Sequence, residues 1–320
     1  MRVMEFELQD PILVVGLGGA GCRLATTVKE RLGYDSLLIS HDSKDLGQES
    51  SKILINTNPI LNPSSYLIRG TSFSAKGSIS EKMQSYSTVI IIANLAGKSG
   101  AALAPVVSQI GKELGKNVLS FGIMPYKFEK DRIFFSGVSL KRLKTNSDCI
   151  VIIDNDALLN SNPDLTPDTC NSITNASLLH VISTLRNSTV PLSTNILSTS
   201  KNIADIETSL RDSIKMLYED APPNSIKTAM MYVVGGNKVP IGVLNSMVNT
   251  MSGIFNNDST RVSMSITSGE ESKVVLLTSI EGETRFDKYD PLGIIPKDSV
   301  LDWDEPDSSV KIDLELEQIE

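Results

Sequence analysis

Along the first half of the chain, short runs that are apolar throughout alternate with longer stretches whose apolar positions fall three and four apart. ILVVGL (12–17), SLLIS (36–40), TVIIIAN (88–94), NVLSFGIMP (117–125) and DCIVIIDN (148–155) are the apolar runs. Such runs predict strands buried on both faces, not strands with one wet side. Residues 20–32 and 101–115 carry helical spacing, and Gly115 is placed to end the second helix. Strands alternating with helices predict an α/β fold with a parallel sheet covered on both faces.

After residue 160 the pattern changes. Residues 168–186 read as one long helix with Ile173, Leu178, Val181, Ile182 and Leu185 along one side. ADIETSLRDSIKMLYED (204–220) is a second helix, and the prolines of APPNS (221–225) interrupt it. TAMMYVVGG (228–236), a helix near 240–255, and the alternating runs RVSMSIT (261–267) and KVVLLTSI (273–280) predict a smaller α/β unit with a mixed sheet. Beyond residue 285 aspartates and prolines predict a flexible tail. The expected organisation is a first domain over 1–165, a central helix over 166–190, a connecting segment and helix over 191–225, a second domain over 226–285 and a tail over 286–320.

Composition narrows the function classes. With 320 residues, 40% of them apolar and 21% charged, the chain can bury a sizeable core. The net charge of −8 is unevenly spread, because residues 301–320 hold eight acids against the single base Lys311. A nearly neutral body with an acidic tail argues against nucleic acid as the partner, since phosphate backbones call for a basic surface. Three cysteines and two histidines are too few and too scattered for a disulfide framework or a zinc site, and no metal is expected as a resident ligand. The first residues lack the apolar core of a signal peptide. The apolar run around Val89–Ala93 is far short of the roughly 18–20 residues of a membrane helix. A cytoplasmic protein without direct membrane insertion is expected.

Candidate chemistry starts at Gly16-Leu17-Gly18-Gly19-Ala20-Gly21, between the first long strand and the first helix. Glycines there permit close backbone approach and let helix-terminal amides face a phosphate. Alone, this turn fits an NAD(P)-binding dinucleotide fold or a purely structural turn. Asp42, after the second strand, is a candidate ribose or magnesium contact, or an ordinary turn cap. A second glycine turn, Ala96-Gly97-Lys98-Ser99-Gly100, follows the third strand and opens another helix. It is not a Walker motif, which would need glycine where Ile92 stands. Two glycine turns at strand ends of one sheet can grip a polyphosphate from two sides; a dehydrogenase needs only the first.

With these residues in view, the chain resembles the FtsZ/tubulin superfamily, in order from about residue 11 to 283. GLGGAGCRLA resembles the family's GVGGGGGNAV, and ISHDSKDL (39–46) its VNTDAQAL. NLAGKSGAALAPVV (94–107) stands where GGGTGTG and the following AAPV would be. MPYKFEKDR (124–132) resembles RPFSFEGKR, and IVIIDNDALL (150–159) resembles IVIPNDRLL. The resemblance implies a Rossmann-like nucleotide domain, a central helix and a smaller C-terminal domain with a mixed sheet. It implies GTP or GDP as ligand, with Mg2+, and phosphate contacts from Gly16, Gly18, Gly19, Gly21, Gly97, Ser99 and Gly100, with Cys22 in the same turn. Glu129 would reach the ribose with Arg132, and Asn155 and Asn175 would lie near the base. As read from the residues alone, Glu129 and Arg132 form a surface salt pair and Asn155 a strand-end turn.

The departures are as informative. Lys98 stands in the phosphate loop, either as a compensating cation or pointing to solvent. The family's guanine-reading aspartate falls at Ala176 and its stacking phenylalanine at Asn171. The catalytic pattern N-x-D-F-A-D aligns with Ser200-Lys201-Asn202-Ile203-Ala204-Asp205. It leaves Asp205, or a helix-start charge at that position, and the degenerate Asn202. An amide holds water but cannot serve as a general base, so GTP hydrolysis is expected to be weak or lost. The resemblance implies a head-to-tail filament of this chain with itself, in division or shape control. The alternatives are a non-hydrolysing scaffold or regulator of an intact FtsZ-like relative, and an NAD(P)-binding protein. The acidic tail, VKIDLELEQIE at 310–320, is a candidate adaptor segment or a solubilising appendage.

Overall fold

The computed structural model describes residues 5–49, 51–186, 189–191, 193–201, 205–255, 260–269 and 272–290. In chain order the strands and helices are β1 (Glu5–Phe6), β2 (Ile12–Leu17), α1 (Gly18–Leu32), β3 (Asp35–Ser40), β4 (Lys52–Leu54), α2 (Ser65–Ser72), α3 (Lys76–Met83), β5 (Thr88–Asn94), α4 (Lys98–Glu113), β6 (Asn117–Met124) and α5 (Lys130–Asn146). They continue with β7 (Cys149–Asp154), α6 (Asn155–Ser161), α7 (Pro167–Leu185), β8 (Val190–Pro191), β9 (Thr194–Thr199), α8 (Ile206–Asp220), β10 (Ile226–Val234), α9 (Ile241–Ile254), β11 (Arg261–Thr267) and β12 (Lys273–Ile280).

Ten strands form one sheet in the order β11-β10-β12-β9-β7-β6-β5-β2-β3-β4. Neighbours run parallel except at β12, which is antiparallel to both β9 and β10. The mixed part expected for the second unit is therefore not a sheet of its own. It is joined through β9 (TNILST), a strand the apolar pattern did not announce.

The apolar runs are buried on both faces for the expected reason. Ile12 and Val14 of β2 point into one cluster, with Leu178, Val181 and Ile182 of α7, while Leu13, Val15 and Leu17 point into the other, with Leu103, Val106 and Val107 of α4. β5 divides in the same way, Ile90 and Ile92 against Val89 and Ile91. Successive side chains leave a strand on opposite sides, so a strand between two helix layers must be apolar at every position. A third cluster seats α8 and α9 on β10 and β12. Local signals fix the ends. Gly33 closes α1 at φ 73°, and Thr166 accepts from the Thr169 amide to start α7 with Pro167 in its first turn.

Order extends past residue 285, where the flexible tail was expected to begin. Residues 285–289 form a 3-10 turn, opened by reciprocal bonds between Thr284 and Asp287. Phe286 is fully buried beside α4 and α5. Lys141 and Lys144 of α5 hold Asp290 (3.2 Å) and Asp287 (2.9 Å). Arg285 reaches the buried carboxylate of Asp154 at the end of β7, with Asp220 Oδ1 at 3.4 Å. An aromatic anchor and three ion-paired side chains tie residues 285–290 to α4, α5 and the end of β7. Residues 291–320, including the acidic stretch, lie outside the described residues. Among the described residues, no helix is long and apolar enough to cross a membrane.

Candidate functional site

The strand order reverses at β2. The chain leaves β2 toward β3 and β4 on one side, then returns to β5 on the other. In an open α/β sheet the crevice at such a reversal, beyond the carboxyl ends of the strands, is where ligands bind. Two helices start there, α1 after β2 and α4 after β5, and neither first turn is capped by a side chain. Their free amides and positive dipole ends favour negative charge in the crevice.

Glycine is what lets these two turns close. A Cβ on Gly100 would come within 2.0 Å of the Asn94 carbonyl oxygen, and one on Gly21 within 2.3 Å of the Ile92 carbonyl oxygen. Gly18 adopts φ 67°, which favours glycine. The resulting cleft, about 360 Å3, is lined by Gly18, Gly19, Gly97, Lys98, Ser99 and Gly100, with Arg132 at one side. Lys98 Nζ donates to Asn62 Oδ1 at 2.5 Å across its mouth.

A polar network lies in the same cleft. Ser99 Oγ is 2.5 Å from His41 Nδ1 and 3.3 Å from Ser40 Oγ, and Ser40 donates to Asp45 Oδ2 at 2.7 Å. Asp45, His41, Asn62 and Asn94 line the cleft but were not singled out from the sequence. In ISHDSKDL the family pattern draws attention to Asp42. The 3-10 turn at 43–46 instead spends Asp42 on the Lys44 amide (2.9 Å) and swings Asp45 over Gly19.

The remaining sequence candidates fall elsewhere. Gly16 and Gly21 sit behind the cleft and serve close packing of α1 on the sheet, a Cβ on Gly16 meeting the Gly21 carbonyl at 2.5 Å. Cys22 is buried, its thiol donating to the Gly16 carbonyl (3.4 Å), and burial pushes its pKa up to about 12. It is a neutral packing group. Glu129 accepts from Arg132 Nη1 (2.6 Å) and from the Tyr126 amide (3.1 Å).

On the far side of α1 a second hollow of about 400 Å3 shares Ala20 with the first. Asn171, Asn175 and Ala176 of α7 line it, with Asp168 and Arg23. Asn155 is buried beneath and bonded inward. It donates to Asn171 Oδ1 (2.6 Å) and accepts from the Thr174 hydroxyl (2.6 Å), while Tyr126 also donates to Asn171 (3.1 Å). Of the polar groups expected near a base, Asn175 lines the hollow, whereas Asn155 is already engaged by the protein.

Asp205 caps α8. Its oxygens accept from the amides of Glu207 and Thr208 (3.2 Å each) and from the Thr208 hydroxyl, which holds its carboxyl below the usual range. Asn202 lies outside the described residues.

Residues 74–163, which carry the second glycine turn and Glu129, match the family model described as "Tubulin/FtsZ family, GTPase domain". The M. jannaschii structure "FtsZ dimer, empty" superimposes with a TM-score of 0.67 at 20% identity, over 84% of this chain and 87% of that one. The fold is that of the FtsZ/tubulin superfamily. "CetZ2 from Haloferax volcanii", in a GTPgS-bound protofilament, shares it with a TM-score of 0.65 at 15% identity, over 87% of this chain and 96% of that one. In sequence, "Cell division protein FtsZ 2" of Methanocaldococcus jannaschii is 31% identical over 162 residues, 48% of this chain and 43% of that protein. The protein of the same description from Halobacterium salinarum is 33% identical over 171 residues, 50% of this chain and 43% of its own length. The similarity thus spans less than half the length of these FtsZ relatives, and it is archaeal proteins that stand out.

Proposed function

We propose that this chain is an FtsZ/tubulin-like protein that binds a guanine nucleotide across its two glycine turns and assembles head-to-tail with itself. In this reading it hydrolyses GTP weakly or not at all. The observation that carries the reading is the convergence of two uncapped helix starts with Lys98 and Arg132 at the reversal of the sheet. The α1 and α4 amides would hold phosphate oxygens, Lys98 would leave the neutral Asn62 for an anion, and Arg132 would add charge from the side.

A carboxylate in that cleft fits a bridging cation. Asp45 faces the phosphate position over Gly19. Among the described residues no three of His, Cys, Asp and Glu could hold a metal by themselves. Mg2+ would therefore take Asp45, directly or through water, together with phosphate oxygens, and would neutralise the charge they share.

What Asp205 is doing supports the reading of weak hydrolysis. Its oxygens are committed to the first turn of α8, and a cap is a poor activator of water. Head-to-tail assembly through unlike surfaces gives open filaments. Extraction and chromatography of nucleotide from the purified protein, followed by calorimetry with GTP and ATP, tests the ligand. Sedimentation at rising concentration with and without GTP tests assembly, and a protein monomeric throughout would sink the filament reading.

The second reading is a scaffold or regulator on the same fold that no longer binds GTP. Ala176 and the inward pairing of Asn155 with Asn171 favour it, because they put no carboxylate where the family's guanine-reading aspartate falls and leave Asn155 engaged by the protein. Micromolar GTP binding excludes it.

A further inference from the structure

A third hollow, about 360 Å3, adjoins the phosphate cleft and is mainly apolar. Tyr66 and Phe135 meet edge-to-face in its wall, ring centres 5.3 Å apart, and Leu95 and Ala101 floor it. Lys98 and Arg132 are the cations on the wall it shares with the cleft. Asp131 is the acid in its lining, Arg132 is already paired with Glu129, and Lys98 is held by the neutral Asn62. Tyr66 is 62% exposed, so an aromatic face waits open beside a cation that has no carboxylate partner among the described residues.

The chain carries one tryptophan, Trp303, set between acids in LDWDEPD (301–307). The described chain stops at Asp290, held by Lys141 of α5, with the Tyr289 backbone packed where a Cβ on Gly137 would come within 2.6 Å. The same helix supplies Arg132 and Phe135 to the hollow from its opposite face, roughly 10 Å away along the axis at 1.5 Å per residue. The thirteen residues from Asp290 to Trp303 span up to about 45 Å when extended, ample to round the helix. We propose that Trp303 of the same chain packs into this hollow against Tyr66 and Phe135, with Asp302 and Asp304 set against Lys98. An amphipathic aromatic anchor with flanking acids matches an aromatic hollow with a cationic rim. This docking does not depend on any nucleotide being bound.

Because Trp303 is the sole tryptophan, its fluorescence in the full chain reports the docking directly. The expected result is blue-shifted emission, protected from iodide and independent of protein concentration. Lys98→Glu and Tyr66→Ala, both at exposed positions, should each shift emission to the red and restore quenching, with the circular dichroism unchanged. Asp302→Lys with Asp304→Lys, added to Lys98→Glu, should bring the protection back. Solvent-exposed emission in the parent overturns the proposal. So does buried emission that ignores both single variants, which would seat Trp303 elsewhere. Protection that appears only at high concentration would assign the hollow to a second copy's segment and overturns docking within one chain.

Discussion

The carboxylate of Asp45 lies directly over Gly19, where a Cβ would come within 2.7 Å of its Oδ1. The backbone offers an anion site at that point and a side chain sets a like charge beside it. A polyphosphate bound here should depend on a divalent cation more steeply than the helix starts alone would require. Removing Mg2+ with a chelator is expected to weaken GTP binding by about tenfold or more, roughly 1.4 kcal/mol. In Asp45→Asn the same treatment should matter far less, with calorimetry as the measurement. Equal chelator sensitivity in both proteins would remove Asp45 from the site.

The glycines of the two turns should separate into packing and ligand-facing groups. Gly21→Ala and Gly100→Ala push a methyl into backbone carbonyls at 2.3 and 2.0 Å. Overpacking of this kind costs about 1–3 kcal/mol or more, seen as a lower Tm. Gly97→Ala meets its nearest neighbour, the Asn94 carbonyl, at 3.4 Å, so the fold should persist while phosphate binding falls. A Gly97→Ala protein that melts as early as Gly100→Ala would contradict this division.

The apolar pattern made the sheet core legible, because a strand sandwiched between helices has no polar position to spare. Less of the rest was visible, and for identifiable reasons. β9 reads TNILST, with polar residues at both ends, and is a strand because β7 and β12 flank it. The segment 55–64 has no periodicity, yet it delivers Asn62 to Lys98. Phe286 gave no signal amid charged residues, although it anchors the chain at α5. In the cleft, Gly18, Gly19, Gly97, Lys98, Ser99, Gly100 and Arg132 could be named from spacing and resemblance. Asp45 could not, because the choice between it and Asp42 depends on how one 3-10 turn is phased.

Asp205 offers a test that divides capping from catalysis. Asp205→Ser keeps an acceptor for the Thr208 amide, and Asp205→Ala does not. The alanine variant should melt earlier than the parent and the serine variant close to it, with any residual GTP turnover changed little by either. A loss of turnover in the serine variant at unchanged Tm would restore Asp205 to a catalytic role.

The buried charges around Arg285 make stability depend on pH in a direction that can be worked out. Asp154 and Asp220 are fully buried against each other, and burial raises both. Among the described residues no N–H or O–H donor makes a hydrogen bond to Asp220, so its proton is best kept and shared with Asp154, while Arg285 balances the remaining charge. In the unfolded chain both groups are ordinary aspartates, ionised above about pH 4. Between there and the raised folded value, the native state holds a proton the unfolded state has lost. Stability from this pair is therefore full at acid pH and falls as pH rises through that window. Asp220→Asn supplies a permanent donor to Asp154 and no longer titrates. It should be at least as stable as the parent at pH 7–8 and show a flatter urea midpoint between pH 4.5 and 8. Arg285→Met should instead cost about 3–5 kcal/mol at neutral pH, because it strands buried acids without their cation. If Asp220→Asn were strongly destabilised at pH 7 while Arg285→Met was tolerated, Asp220 would have to be ionised in the folded protein and the pair would have to be held by something other than a shared proton.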